Sequence, residues 1–168
     1  VEGSATSTNI SGGYQIVYSG GSATSTNINS GGNQYVNSGG SATDTTIYNG
    51  GILTLNGGGY AISASLSAGA ELAVYAYNNT AAVYNGGTTD FTDKTLSFYL
   101  DNASAGQTLL AVDSPLGISD STDLKLYANT INNLTENEQI TLVDKTAGSF
   151  TAGTHTTNVT GTGATIYD

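Results

Sequence analysis

Cysteine, methionine, tryptophan and arginine are absent from this chain, and proline occurs once, at Pro115. Without cysteine there can be no disulfide and no thiolate metal site. That absence suits a protein exported unfolded through an oxidising compartment, where stray thiols would pair wrongly. Without methionine there is no initiator residue, and the expectation is a processed piece of something longer. The only cationic side chains besides His155 are Lys94, Lys125 and Lys145, set against thirteen acids for a net charge of −10. Phosphate backbones are held by clustered Lys and Arg, so nucleic acid is excluded as a partner. No run approaches the roughly 18 apolar residues of a membrane span, and no basic-then-apolar signal opens the chain. Only 10% of the 168 residues are charged, so solubility rests on Ser, Thr and Asn. Disorder normally comes with proline or dense charge and few aromatics. Eleven tyrosines and a steady supply of Ile, Val and Leu point instead to a folded all-β chain.

What is present is a repeat. Glycine pairs fall at 12–13, 20–21, 31–32, 39–40, 50–51 and 58–59, and their alternating gaps give a period of 19. Aligned on that period, residues 4–21, 22–40, 41–59 and 60–78 form four units, the first one residue short. A fifth unit is expected to start near Thr80, where Val83-Tyr84-Asn85-Gly86-Gly87 echoes Ile47-Tyr48-Asn49-Gly50-Gly51. Five columns keep their character: Ala5/Ala23/Ala42/Ala61, Thr8/Thr26/Thr45/Ala64, Ile10/Ile28/Ile47/Leu66, Gln15/Gln34/Leu53/Leu72 and Val17/Val36/Leu55/Val74. Within a unit the pairs Thr8/Ile10 and Gln15/Val17 lie two apart, the period of a strand with one buried face. Each unit therefore reads as strand, Gly-Gly turn, strand, Gly-Gly turn, with glycine supplying positive φ.

Two short strands cannot bury an apolar face alone, so units must stack. A parallel β-solenoid of about 19 residues per coil places like on like and gives the column identity a cause. Antiparallel hairpins would favour cross-strand complementarity instead. Residues 1–89 are read as the Gly-Gly coils, with the whole stack expected to run to about five. From position 90 the double glycines vanish, and ten of the thirteen acids and all the lysines follow. Strand-like runs remain at 95–100, 108–112, 124–127 and 139–143, divided by turn-rich segments. Residues 90–168 are read as a less regular continuation that covers or terminates the stack.

The unit Gly-Gly-Ser-Ala-x-x-Thr-x-Ile-x-x-Gly-Gly-x-Gln-x-Val-x-x-Gly-Gly, written by residues 20–40, resembles the passenger repeat of AIDA-type self-associating autotransporter adhesins. The resemblance covers residues 3 to about 75 closely and the remainder loosely. It implies a right-handed parallel β-helix displayed at the cell surface of a Gram-negative bacterium, after passage through the periplasm and a C-terminal membrane barrel. It also implies roles in adhesion, autoaggregation or biofilm. Because some members carry sugars on repeat hydroxyls, Ser4, Thr6, Ser7, Ser22, Thr24 and Ser25 become candidate acceptors.

The chemistry of catalysis is sparse. Carboxyl pairs occur at Asp90/Asp93, Asp120/Asp123 and Glu136/Glu138, but without arginine nothing would hold an acidic sugar chain or stabilise developing negative charge. His155 is the only histidine, and nothing places it in a triad. The Asp120-Ser121-Thr122-Asp123 run offers oxygens for calcium but lacks the Gly-Gly-x-Gly-x-Asp pattern of calcium-binding rolls. The Asn-x-Ser/Thr matches at Asn9, Asn78, Asn102, Asn133 and Asn158 are expected by chance. No metal or cofactor is expected. Thr-x-Thr ladders (Thr6/Thr8, Thr24/Thr26, Thr43/Thr45) raise ice binding as an alternative, and a polysaccharide-degrading β-helix is another. Against the ladder, the spacing from Ala5 predicts a bend that turns Thr8 inward and Thr6 outward. The favoured reading is a non-catalytic adhesin fragment acting through stacked Ser, Thr, Asn and Tyr side chains, on a glycan, a surface protein or another copy of itself. Tyr14, Tyr18, Tyr35, Tyr48 and Tyr60 lie off the buried columns and are its candidate contact residues.

Overall fold

The computed structural model describes residues 1–88, 90–128 and 138–145, with the backbone alone of strands Phe150–Thr151 and Asn158–Thr160. The described residues form a parallel β-helix. Two seven-stranded parallel sheets run its length. The first comprises Ser4–Thr6, Ser22–Thr24, Ser41–Thr43, Tyr60–Ile62, Ala82–Asn85, Thr108–Val112 and Thr141–Lys145. The third comprises Tyr14–Val17, Asn33–Val36, Ile52–Asn56, Glu71–Tyr75, Thr95–Tyr99, Asp123–Tyr127 and Asn158–Thr160. Between them lies a second sheet of two-residue strands, Asn9–Ile10, Asn27–Ile28, Thr46–Ile47 and Ser65–Leu66. On the same side of later coils, Leu116–Gly117 pairs with Phe150–Thr151, and Asp90 bridges to Gly117. The coils thus have three sides rather than two, and among the described residues they number seven rather than about five.

The third corner carries no glycine pair. It lies at Ser7, Ser25, Asp44 and Ser63, all left-handed with φ of 53–55°. Serine and aspartate tolerate this conformation because short polar side chains can bond locally. The corner turns Ala23 and Ala42 inward from one side and Thr26 and Thr45 inward from the next, all four almost fully buried. The other two corners are the glycine pairs, whose members differ in purpose. Gly39 holds φ at 76°, whereas a Cβ on Gly40 would sit 2.7 Å from the Val17 carbonyl oxygen of the preceding coil.

Partners along the first sheet are spaced 18, 19 and 19 residues apart (Ser4, Ser22, Ser41, Tyr60), then 23, 28 and 33 (Val83, Ala111, Asp144). A longer coil encloses more volume, and a packed interior must fill it. Early coils are filled by Ala, Thr, Gln and Val; later ones by Tyr84, Phe91, Phe98, Leu109, Leu110 and Leu116, all buried. The fifth unit is displaced from its expected register. Val83 pairs with Tyr60 in the first sheet, not with the second-sheet place of Ile47, and Gly86 takes the serine corner beside Ser63.

The lengthened coil has a buried fastener. Tyr84 takes the place of Ala61, and its ring meets Phe91 edge-on at 6.3 Å. Its hydroxyl lies 2.8 Å from the Ala64 carbonyl and 3.1 Å from that of Thr88, donating to one at a time. Burial raises its pKa well above the ordinary 10.0. Because the folded value exceeds the unfolded one, the associated stability is complete below about pH 10 and is lost as pH rises past it. Tyr84→Phe should therefore cost about 1 kcal/mol near neutrality and flatten the alkaline fall in melting temperature. An unchanged alkaline profile in the variant would show that the hydroxyl is not the titrating lock.

Candidate recognition surface

The outer face of the third sheet is where this chain gathers aromatic side chains in register. Strand residues alternate sides, so Gln34, Val36, Leu53 and Leu55 point inward, all buried, and their neighbours point out. Three outward columns result. One runs Tyr14, Asn33, Ile52, Glu71, Thr95, Asp123; the next runs Ile16, Tyr35, Thr54, Ala73, Ser97, Lys125. In the last, Asn56, Tyr75, Tyr99 and Tyr127 are in register.

The last column is a stack. The Tyr75 and Tyr99 ring centroids are 4.0 Å apart at 3°, and those of Tyr99 and Tyr127 are 4.5 Å apart at 13°. Parallel strands about 4.8 Å apart impose this spacing on like rings in register. The rings cover one another's faces, so the stack offers mainly edges and hydroxyls. Desolvation raises the pKa of Tyr75 and Tyr99, and the Glu71 carboxylate adds to both. Amides continue the column, Asn56 Nδ2 donating to Asn37 Oδ1 at 2.7 Å. Thr54, Ala73 and Ser97 are outward yet almost fully buried, because these small side chains lie between larger ones on the same face. Lys125 pairs with Asp123 at 2.9 Å, a hydrogen bond that raises the lysine pKa.

The five tyrosines expected to make contacts do not share one site. Tyr14 and Tyr35 meet on this face, edge-to-face with centroids 6.3 Å apart at 82°. Tyr18 follows the first strand of the same sheet, where its N–H donates to the Val1 carbonyl. Tyr48 stands at the corner after the second sheet and Tyr60 on the outside of the first. Tyr14 is 72% exposed, and Tyr18, Tyr48 and Tyr60 are 44% exposed each. Tyr75, Tyr99 and Tyr127 do not recur at a spacing of 19, so the period does not mark them. Their signal was Leu-x-apolar-Tyr, written at 72–75, 96–99 and 124–127.

The candidate acceptors Ser4, Thr6, Ser22 and Thr24 lie on the outer face of the first sheet, with Ser7 and Ser25 at its corner; none is buried. The threonine ladders are split by that corner. Thr26 and Thr45 face the core and bond to Gln34, so among the described residues these ladders form no Thr-x-Thr surface for ice. Asp90 accepts from the Thr92 N–H and hydroxyl at 2.8 and 2.7 Å, which hold its pKa below the ordinary value. In the 120–123 run, Thr122 is buried and donates to the Phe91 carbonyl at 2.8 Å. Its hydroxyl also accepts from the Ser119 N–H, so that run is a turn plugged into the wall. Among the described residues no group of three or more His, Asp or Glu side chains could hold a metal ion. His155, Glu136 and Asn133 lie outside the described residues.

No protein-family model matches the chain, and no curated protein does. Among solved structures, the chain is similar to one described as the crystal structure of the TibC-catalyzed hyper-glycosylated TibA55-350 fragment. Identity is 20% over 94% of this chain and 84% of that one, with a TM-score of 0.46. The β-helix assignment rests on this chain's own strand register.

Proposed function

We propose that the chain is a non-catalytic adhesive segment of a protein displayed outside a Gram-negative cell, a rigid solenoid that offers the outer face of its third sheet to a partner. The observation that carries this reading is the in-register tyrosine stack with its amide continuation. Like side chains at coil spacing make a linear array, suited to a partner that is itself repetitive, such as a second copy or a surface polymer. Several weak contacts on one stiff scaffold then act together, because each engagement raises the effective concentration for the next. The Asp90 carboxylate is tied into its own turn and that of Asp123 is paired with Lys125 on its strand, which favours scaffold over catalysis.

Analytical ultracentrifugation across a wide concentration range tests the homotypic form. Concentration-dependent species that diminish in Tyr99→Ala are expected. A strict monomer at high concentration, together with failure to bind whole bacterial or host cells, would sink the adhesive reading.

A further inference from the structure

The two ends of this face differ in what their rings can do. In the Tyr75–Tyr99–Tyr127 stack the ring faces are spent on each other. Tyr14 and Tyr35 meet at 82°, an arrangement in which one ring keeps both faces clear of its partner and the other keeps one. With Ile16 and Asn37 they line a shallow hollow of about 330 Å³. The Asn37 Oδ1 accepts from Asn56, which leaves the Asn37 Nδ2 donors without a partner among the described residues.

The lining side chains carry no charge, and the first Lys of the chain is Lys94, three coils beyond Tyr35 in the stack. The cation beside the lining, the Val1 ammonium, donates to the Ile16 carbonyl oxygen and is held on the backbone, and an anionic ligand would meet a chain of net charge −10. A cationic ligand would find no carboxylate among the lining residues. What fits is a neutral, hydroxyl-bearing ring with an apolar face: the C–H face lies on an exposed tyrosine, and the hydroxyls meet the amide of Asn37 and the phenols.

We infer that the Tyr14–Ile16–Tyr35–Asn37 hollow is a subsite for a neutral polysaccharide, one pyranose ring seated against the tyrosine pair. This rests on the adhesive reading and names the partner class for that face. One ring pair and a few hydrogen bonds give weak affinity, a Kd of about 1 mM per site, and useful binding comes from polymer chains that engage several molecules at once.

The test uses isothermal calorimetry and polysaccharide-bead pull-down with neutral β-glucan and mannan oligosaccharides. Polygalacturonate oligomers serve as the acidic probe and chitosan oligomers as the cationic one. The inference expects binding of a neutral probe that is insensitive to salt, weakened at least tenfold in Tyr14→Ala and Tyr35→Ala and unchanged in Tyr60→Ala. Tyr14 is 72% exposed, so its truncation leaves the core intact, as circular dichroism would verify. The inference is overturned by no neutral binding, by neutral binding that both variants retain, or by a salt-sensitive preference for either charged probe. Self-association or cell binding that persists without neutral glycan binding would remove the subsite and leave the adhesive reading standing. Loss of all three would remove both.

Discussion

Gln34→Ala is expected to destabilise the protein by about 3 kcal/mol, read as a lowered urea midpoint at unchanged slope. Gln34 is fully buried and satisfies three coils at once. Its Nε2 donates to Gln15 Oε1 at 2.7 Å in the coil before and to Thr26 Oγ1 at 3.2 Å in its own, while its Oε1 accepts from Thr45 Oγ1 at 3.2 Å in the coil after. Truncation opens a cavity and strands two threonine hydroxyls in a dry interior. The cost thus combines lost packing with unpaired polar groups. The columns themselves suggest the rescue. One coil on, the glutamine place is held by Leu53 and the threonine place by Thr45, whose hydroxyl reaches back to Gln34; in the next coil they are Leu72 and Ala64, both apolar. Gln34→Leu alone should cost about 2 kcal/mol, because both threonines lose their partner. Adding Thr26→Ala and Thr45→Ala should recover most of it, since removing both ends of a buried hydrogen bond is close to neutral. Gln15 sits in the half-exposed first coil, where water can replace its lost partner. If the triple variant is no more stable than Gln34→Leu, the pairing of Gln with Thr along these columns has some cause other than polar satisfaction.

That covariation shows why the early coils are legible in the sequence. At a fixed period each position meets only its own column, so Ala23 over Ala42 and Val36 over Leu55 declare the core without any structure. The bend that turns Thr26 inward was readable from its odd spacing after Ala23. That this bend made a third side was not, because Ser25 and Asp44 reach positive φ without the glycine that marks the other corners. Beyond Tyr75 the coils lengthen by about five residues each, and a fixed-period alignment slips. The slip set Val83 against Ile47 and hid the Leu-x-apolar-Tyr strands whose rings form the stack. Register in the longer coils depends on interior filling by Tyr84, Phe91 and Phe98, a property of enclosed volume rather than of local pattern. For the same reason only Tyr14 and Tyr35 of the five candidate tyrosines come together. Position off a buried column says that a side chain points outward, not on which of three sides.

The start of the lengthening yields the second large effect, one that runs against the repeat. Gly57 occupies a column held by Ser19 and Ser38 in the two preceding coils and by Ala76 in the next, so repeat consensus would place serine there, ordinarily a stabilising kind of change. Gly57→Ser is instead expected to cost 2 kcal/mol or more, roughly the scale of a forced backbone shift in a packed site. In regular coils four residues lead from the last outward position of the third sheet to the first sheet, as from Asn56 to Tyr60. From Tyr75 to Val83 there are eight. The additional four form a tight hairpin: Tyr77 and Thr80 bridge antiparallel, and Asn78 and Asn79 both hold positive φ, at 48° and 50°, as a type I′ turn requires. This hairpin rests on Gly57. A Cβ there would lie 2.5 Å from the Tyr77 carbonyl oxygen and would also strike that of Thr80. Both obstacles are backbone, so neither can rotate away. Deleting residues 77–80 returns this first-sheet spacing from 23 residues to 19 and removes both clashes. On that background Gly57→Ser should become neutral, and its cost in the full-length chain should appear as a lowered melting temperature. Equal effects of the serine in the two backgrounds would show that the hairpin is not what reserves this position for glycine.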